Sequence, residues 1–151
     1  WFHTGDQVMM NDRNEVVYID RLKEIIKVRG FEVAPADLEA CILGHALVQD
    51  AGVVGVKDAI SGEAPMAFVV LAPEAAARAA RDPSGRIAAQ MKRAIIEVRV
   101  YVCHVAERKS SYKQLHRVEF VDAIPKYASG KILRRILQEQ AKDLAARTAR
   151  M

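Results

Sequence analysis

The chain has 151 residues, 51% hydrophobic and 6% aromatic, with 8 Gly and 5 Pro. That supports one packed domain, or a domain plus a stub, and excludes disorder throughout; no apolar run reaches the roughly eighteen residues of a spanning helix. The net charge of +4 hides an asymmetry: residues 107–151 carry eleven Lys/Arg and five Asp/Glu, a surplus of six, and residues 1–106 a deficit of two. A basic end of this kind is either a solvated helix face or the footprint of an anionic partner such as a nucleotide phosphate, a coenzyme phosphate or nucleic acid.

The chain opens on Trp1 with no Met and no charged-then-apolar leader, which reads as a piece of a longer protein without a signal peptide. Residues 8–10 and 16–19 are short apolar or β-branched runs around Asn11-Asp12-Arg13-Asn14, a hairpin and its turn. Ile25-Ile26-Lys27-Val28 reads as a short strand ending at Arg29-Gly30. Pro35 then opens a helix, with Asp37 and Glu39 near its positive end, Leu38 and Ile42 on one face and Gly44 as the stop. Residues 50–57 and 65–72 read as buried strands joined by the loop 58–63.

Residues 74–81 are Ala- and Arg-rich and helical in character, interrupted by Asp82-Pro83-Ser84-Gly85. A second helix carries Ile87, Met91, Ile95 and Val98. Val98–Val105 alternates like a strand but is ambiguous, and 117–121 is a cleaner strand. Pro125–Gly130 reads as a loop. Ile132, Leu133, Ile136, Leu137 and Leu144 stripe a last helix, with Lys131 at its opening and Ser129 as its candidate cap. Cys41 and Cys103 stand apart in apolar settings; free thiols of a reducing compartment fit them better than a disulfide or a zinc site. No metal-ligand spacing appears among the four histidines.

Three segments are more polar and glycine-rich than their surroundings require. In His3-Thr4-Gly5-Asp6 the Asp6 carboxylate either caps a turn or accepts from two vicinal hydroxyls, as on a ribose. Asp20 to Phe31 is either a charged strand pair with a turn or a ligand segment. In the second case Arg21 offers a fork of donors and Gly30 allows close backbone approach. Pro125 to Arg135 contains Ser129-Gly130-Lys131, where a lysine beside a mobile glycine can place positive charge on a carboxylate and a phosphate during transfer. It is either that or a solvated basic helix start. It is not a phosphate-binding P-loop, because Pro125 stands where that pattern needs glycine.

Together, Thr4-Gly5-Asp6, Asp20-Arg21-x-Lys23-Glu24-x-Ile26-Lys27-x-x-Gly30-Phe31 and Pro125-Lys126-x-x-Ser129-Gly130-Lys131 resemble the adenylate-forming superfamily: acyl-CoA synthetases, coumarate–CoA ligases, firefly luciferase and the adenylation domains of peptide synthetases. Ala34-Pro35-Ala36-Asp37-Leu38-Glu39 and Phe120-Val121-Asp122-x-Ile124-Pro125-Lys126 look most like the coumarate-ligase and luciferase branch. The likeness runs over nearly the whole chain and in the family's order.

The resemblance implies an α+β fold, a small mixed sheet flanked by helices after a β-hairpin. Residues 1–20 would be the tail end of a large amino-terminal adenylation domain, and residues 21–151 a mobile carboxy-terminal domain. It implies that Asp6 and Arg21 contact the nucleotide and that Asp20 and Lys23 form the hinge. Lys131 would promote adenylation, while Lys27, Gly30 and Phe31 belong to the face presented for the CoA step. ATP or AMP, magnesium and CoA are the expected ligands of the full-length parent, with a carboxylic acid as substrate. No resident metal, nucleic acid or membrane span is expected, and the place is intracellular, cytoplasmic or peroxisomal.

Other outcomes keep the superfamily and change the reaction, to luciferase-like oxidation or carrier-protein loading, or abandon it for a basic nucleic-acid-binding module. Three departures stand out. Val98–His104 is extra relative to the family and precedes Tyr112-Lys113-Gln114-Leu115. Arg29 replaces a common lysine. The upstream phosphate loop and the carboxylate and adenine pockets are missing, so the 151 residues alone are expected to bind nucleotide weakly and to be inactive.

Overall fold

A computed structural model describes residues 1–96 and 115–148, with the backbone alone at Asp20 and Thr148. The expected strand-like stretch after Glu97, Cys103 and Tyr112–Gln114 lie outside the described residues.

The first element is a two-stranded antiparallel ribbon, β1 (Asp6–Met10) and β2 (Val16–Arg21). Its turn forms where expected. The Asn11 side-chain oxygen accepts from the backbone N–H of Arg13 and of Glu15, both at 2.9 Å, and Asn14 takes a φ of 58°. A short polar side chain that bonds its own backbone tolerates that conformation.

A five-stranded mixed sheet follows, in the order β4 (Phe31–Val33), β3 (Ile26–Val28), β6 (Gly62–Leu71), β5 (Val48–Asp58), with β7 (Arg117–Phe120) parallel to β6. The expected strand at 25–28 thus has a hairpin partner in β4. The loop expected over 58–63 shrinks, because β5 and β6 pair out to Asp58↔Gly62. The Asp58 carboxylate closes that turn by accepting from the backbone N–H of Ser61 at 2.8 Å.

Alternation along β5 and β6 sends side chains to both faces, and both are covered. On one face Val53, Ala67 and Val69 pack with Leu38 and Ile42 of α1 (Pro35–Leu43) and Ile95 of α3 (Arg86–Ile96). On the other, Val54, Met66 and Phe68 pack with Leu137 and Ala141 of α4 (Arg134–Thr148). The shorter α2 (Pro73–Ala80) follows β6. The architecture is the α+β arrangement expected, and Pro35 does open α1.

Two expectations at the ends of helices are corrected. The last helix begins at Arg134, so Ser129 caps nothing and Lys131 does not open a helix. Residues 126–132 are committed instead to a small hairpin, with Lys126 bridged to Ile132 and the Leu133 N–H donating to the Pro125 carbonyl at 2.8 Å. Glu39, expected as a helix-end charge, is buried at 8% exposure with its carboxylate turned onto β5. An unpartnered carboxylate would not be held there, and its partner defines the site below.

Candidate functional site

Lys131 stands just beyond the tip of that hairpin. The Tyr127 N–H donates to the Lys131 carbonyl at 2.8 Å and the Gly130 N–H to the Tyr127 carbonyl at 2.9 Å. Ala128, Ser129 and Gly130 therefore make a three-residue loop, closed by Gly130 at a φ of 83°. That is the left-handed position such loops give to glycine. Lys131 is exposed. Among the described residues its ammonium makes no hydrogen bond and no ion pair.

The base of the hairpin is held at three points along β5. Lys126 pairs with Asp50 at 2.6 Å. A Cβ at Gly52 would lie 2.7 Å from a Leu137 methyl, 3.4 Å from Ile124 and 3.6 Å from Ile132, so the missing side chain lets α4 and the hairpin sit directly on the strand. At Val53, on the open edge of the sheet, the carbonyl accepts from Arg134 Nη1 at 2.9 Å and the N–H donates to Glu39 at 2.8 Å.

Arg134 is the centre of this arrangement. Its guanidinium pairs through Nη1 and Nη2 with Glu39 and donates through Nε to Glu24 Oε2 at 2.6 Å. Only 14% of the side chain is exposed. Burial alone works against the charge, but the hydrogen bonds and charges of Glu39 and Glu24 more than offset it and raise the guanidinium pKa above its ordinary value. A planar fork suits this work, since one cation meets two carboxylates and a carbonyl at once.

At the other end, Asp6 and Arg21 face each other in the β1–β2 register, with Arg21 Nε 3.8 Å from Asp6 Oδ1. Gly5, at a φ of 74°, lets the chain enter β1, and its carbonyl accepts from the Leu22 N–H at 2.8 Å. Asp20 lies in β2 opposite Gln7. Lys23 is exposed in the turn after β2, closed by the Glu24 N–H donating to the Arg21 carbonyl at 2.8 Å. The Lys27 side chain is exposed, while its N–H donates to Glu63 at 2.8 Å. Gly30, at a φ of 83°, and Phe31, 54% exposed, form the open turn from β3 into β4.

The structure thus brings Asp6 to Arg21 across the open end of the ribbon, and places Lys27 near Gly30 and Phe31 at the β3–β4 turn. No hydrogen bond or ion pair joins Lys131 to either set. It also shows residues that sequence reasoning missed: Glu24, Glu39, Asp50, Gly52 and the role of Arg134. Glu39 carried a signal, since it borders the Leu38–Ile42 stripe of α1. Asp50 and Gly52 carried none. Among the described residues of the basic end, four of the seven Lys/Arg are in ion pairs: Arg117 with Glu119, Lys126 with Asp50, Arg134 with Glu24 and Glu39, and Arg135 with Glu139.

A groove of about 450 Å³ runs beside α2, lined by Leu71, Pro73, Ala76, Phe120 and Asp122 among others, and includes none of the expected site residues. Among the described residues no cluster of three or more His, Cys, Asp or Glu could hold a metal ion, and no helix is long and apolar enough to cross a membrane.

Comparison with known proteins gives the family of the chain. The profile of the AMP-binding enzyme C-terminal domain matches residues 37–131. The chain is 46% identical over 149 residues to 4-coumarate–CoA ligase 5 of Oryza sativa subsp. japonica, covering 99% of this chain and 23% of that protein. It is 42% identical to 4-coumarate–CoA ligase of Pinus taeda, covering 99% of this chain and 22% of the relative. The crystal structure of the anthranilate CoA ligase AuaEII with anthranoyl-AMP superposes with a TM-score of 0.70 at 29% identity, over 97% of this chain and 24% of that one. The chain spans less than a quarter of the length of these relatives. It belongs to the AMP-binding enzyme C-terminal domain family.

Proposed function

We propose that this chain is the mobile carboxy-terminal part of an AMP-forming acid–CoA ligase, acting with a large amino-terminal domain whose last ribbon is residues 1–20. One observation carries the reading: an exposed ammonium, Lys131, borne on a hairpin whose one other cation, Lys126, is tied to Asp50. A charge held in position but left unneutralised is suited to a transient partner rather than to the fold. The ligase names of the relatives support the same reaction class.

In the first half-reaction a carboxylate oxygen of the acid attacks the α-phosphorus of ATP. A carboxyl–phosphate bond forms, the bond to the departing phosphates breaks, and pyrophosphate leaves. Lys131 offsets negative charge shared between the carboxylate and the transferring phosphate. Asp6 accepts from the ribose hydroxyls and Arg21 contacts the same nucleotide; their cross-strand pairing keeps both at the mouth of the ribbon. Magnesium, when bound, neutralises phosphate charge.

In the second half-reaction the CoA thiol gives its proton to solvent, its sulfur attacks the acyl carbon, and the acyl–oxygen bond to phosphate breaks, so AMP leaves. Residues Asp20 to Lys23 act as the hinge, and the turn carrying Lys27, Gly30 and Phe31 replaces Lys131 beside the acyl group. Gly30 has open space around its Cα, as close passage of a thin ligand arm requires. An intracellular place, cytoplasmic or peroxisomal, fits chemistry that consumes ATP and CoA.

The test is Lys131→Ala in the full-length ligase. Acyl-AMP formation should fall about a hundredfold, the scale of losing one transition-state charge contact. Thioester formation from supplied acyl-AMP should stay near wild type. Equal loss in both steps would overturn the assignment.

A further inference from the structure

Lys131 must arrive at the reacting groups in one geometry, yet it sits beside a glycine at the end of a loop. Something must hold that loop relative to the segment about which the domain turns. Arg134, the residue just after the hairpin, reaches from there to the residue just after that segment. Arg134, three positions after Lys131, reaches Glu24, the residue that follows Lys23, and Glu39 of α1. The two carboxylates come from sequence positions 110 and 95 residues away. The same guanidinium grips the Val53 carbonyl, beside the Gly52 gap into which Ile132 and Leu137 pack.

We infer that Arg134 is a positioning residue for the adenylation step, a clamp that locks the Lys131 hairpin to the exit of the hinge through Glu24 and to the sheet through Glu39 and Val53. This rests on the function proposed above. The Tyr127–Lys131 loop then turns with the hinge as one body, and Lys131 reaches its target without searching. The residue does not touch substrate; it acts through Lys131. The clamp needs the fork of arginine rather than charge alone, because one ammonium cannot meet Glu24, Glu39 and the carbonyl together.

The test uses the full-length ligase with four variants: Lys131→Ala, Arg134→Lys, the double variant, and Glu24→Gln. Arg134→Lys should lower kcat for acyl-AMP formation about tenfold, the scale of a modest misplacement. KM for ATP and the rate of thioester formation from supplied acyl-AMP should stay within about twofold. In the Lys131→Ala background, Arg134→Lys should cost nothing further, because a residue acting only through Lys131 has nothing left to position. Glu24→Gln, which opens one arm of the clamp at a partly exposed site, should give the same selective loss, smaller, at an unchanged melting temperature.

Additive losses in the double variant would overturn the inference, as would equal loss in both half-reactions. So would wild-type adenylation by Glu24→Gln should Arg134→Lys fail to fold. Failure of the wild-type protein to make acyl-AMP would instead refute the ligase reading, and the two failures are distinguishable.

Discussion

Gly30 and Gly130 adopt the same φ of 83°, and a Cβ at either would meet nothing within 4 Å. What lies beneath them differs. The Gly130 loop is seated by side chains from distant parts of the chain: Asp50, Glu39 and Glu24 hold its cations, and a glycine gap admits its apolar base. The Gly30 turn is held mainly by backbone. The Arg29 N–H donates to the Ser61 carbonyl at 2.8 Å, and β3 pairs with β4 and touches β6 at Gly62. The loop that carries Lys131, proposed above to deliver a point charge, is anchored through its side chains. The Gly30 turn, proposed above to let a ligand arm pass, is anchored mainly through its main chain. Equal backbone conformation therefore says little about equal purpose.

The contrast can be broken most forcefully at the packing beneath Gly130. Leu137 is fully buried under the hairpin, so Leu137→Ala should lower stability by about 3 kcal/mol in a denaturant melt. Gly52→Val fills the space that Leu137 and Ile132 occupy and should cost about 2 kcal/mol by overpacking. On the function proposed above, acyl-AMP formation should fall beyond what stability explains, while thioester formation from supplied acyl-AMP stays intact.

A matched pair sharpens the comparison. Gly130→Ala and Gly30→Ala should each cost about 1 kcal/mol, because both force alanine into the left-handed region. Gly130→Ala should slow adenylation and Gly30→Ala the CoA step. Identical kinetic profiles would show that the two turns are not specialised.

The smallest effect lies at a site remote from both turns. Glu119 accepts from Lys92 at 2.6 Å and from Arg117 at 2.8 Å. Partial burial raises its pKa, but those contacts prevail and hold it below the ordinary carboxylate value of 4.5. A group with a depressed folded pKa contributes stability above its unfolded pKa and loses it as pH falls through the folded one. Glu119→Gln should therefore cost a few tenths of a kcal/mol at neutral pH. The gap from wild type should close as pH drops below 4.5. A gap that widened in acid would reverse the sign.

Much of the fold was legible because it is written locally. The Asn11–Asn14 turn, Pro35 at the start of α1, the Leu38–Ile42 face and the apolar runs of β5 and β6 follow from neighbours a few residues apart. The motif residues were legible as chemistry because glycine, lysine and aspartate stand together where packing does not require them. The start of the last helix was misplaced for a physical reason. The stripe of Ile132 and Leu133 continues the helical spacing of Ile136 and Leu137, but the hydrogen bonds of 126–133 close a hairpin instead. Arg134 looked like one more basic residue in a basic tail, since its partners lie about a hundred positions upstream and only the folded sheet brings them near. The parallel pairing of β7 with β6 was hidden for the same reason.

The Val53 clamp has one further consequence, for the company the molecule keeps. β5 ends the sheet, and an uncovered final strand offers its amides and carbonyls to any similar strand that drifts past. Glu39 and Arg134 occupy both polar groups of Val53 with charge, so a foreign strand would have to displace an ion pair to dock there. Loss of Arg134 leaves the buried Glu39 carboxylate without its cation and uncovers the Val53 carbonyl at the same time, so the variant should lose stability and also join edge to edge more readily.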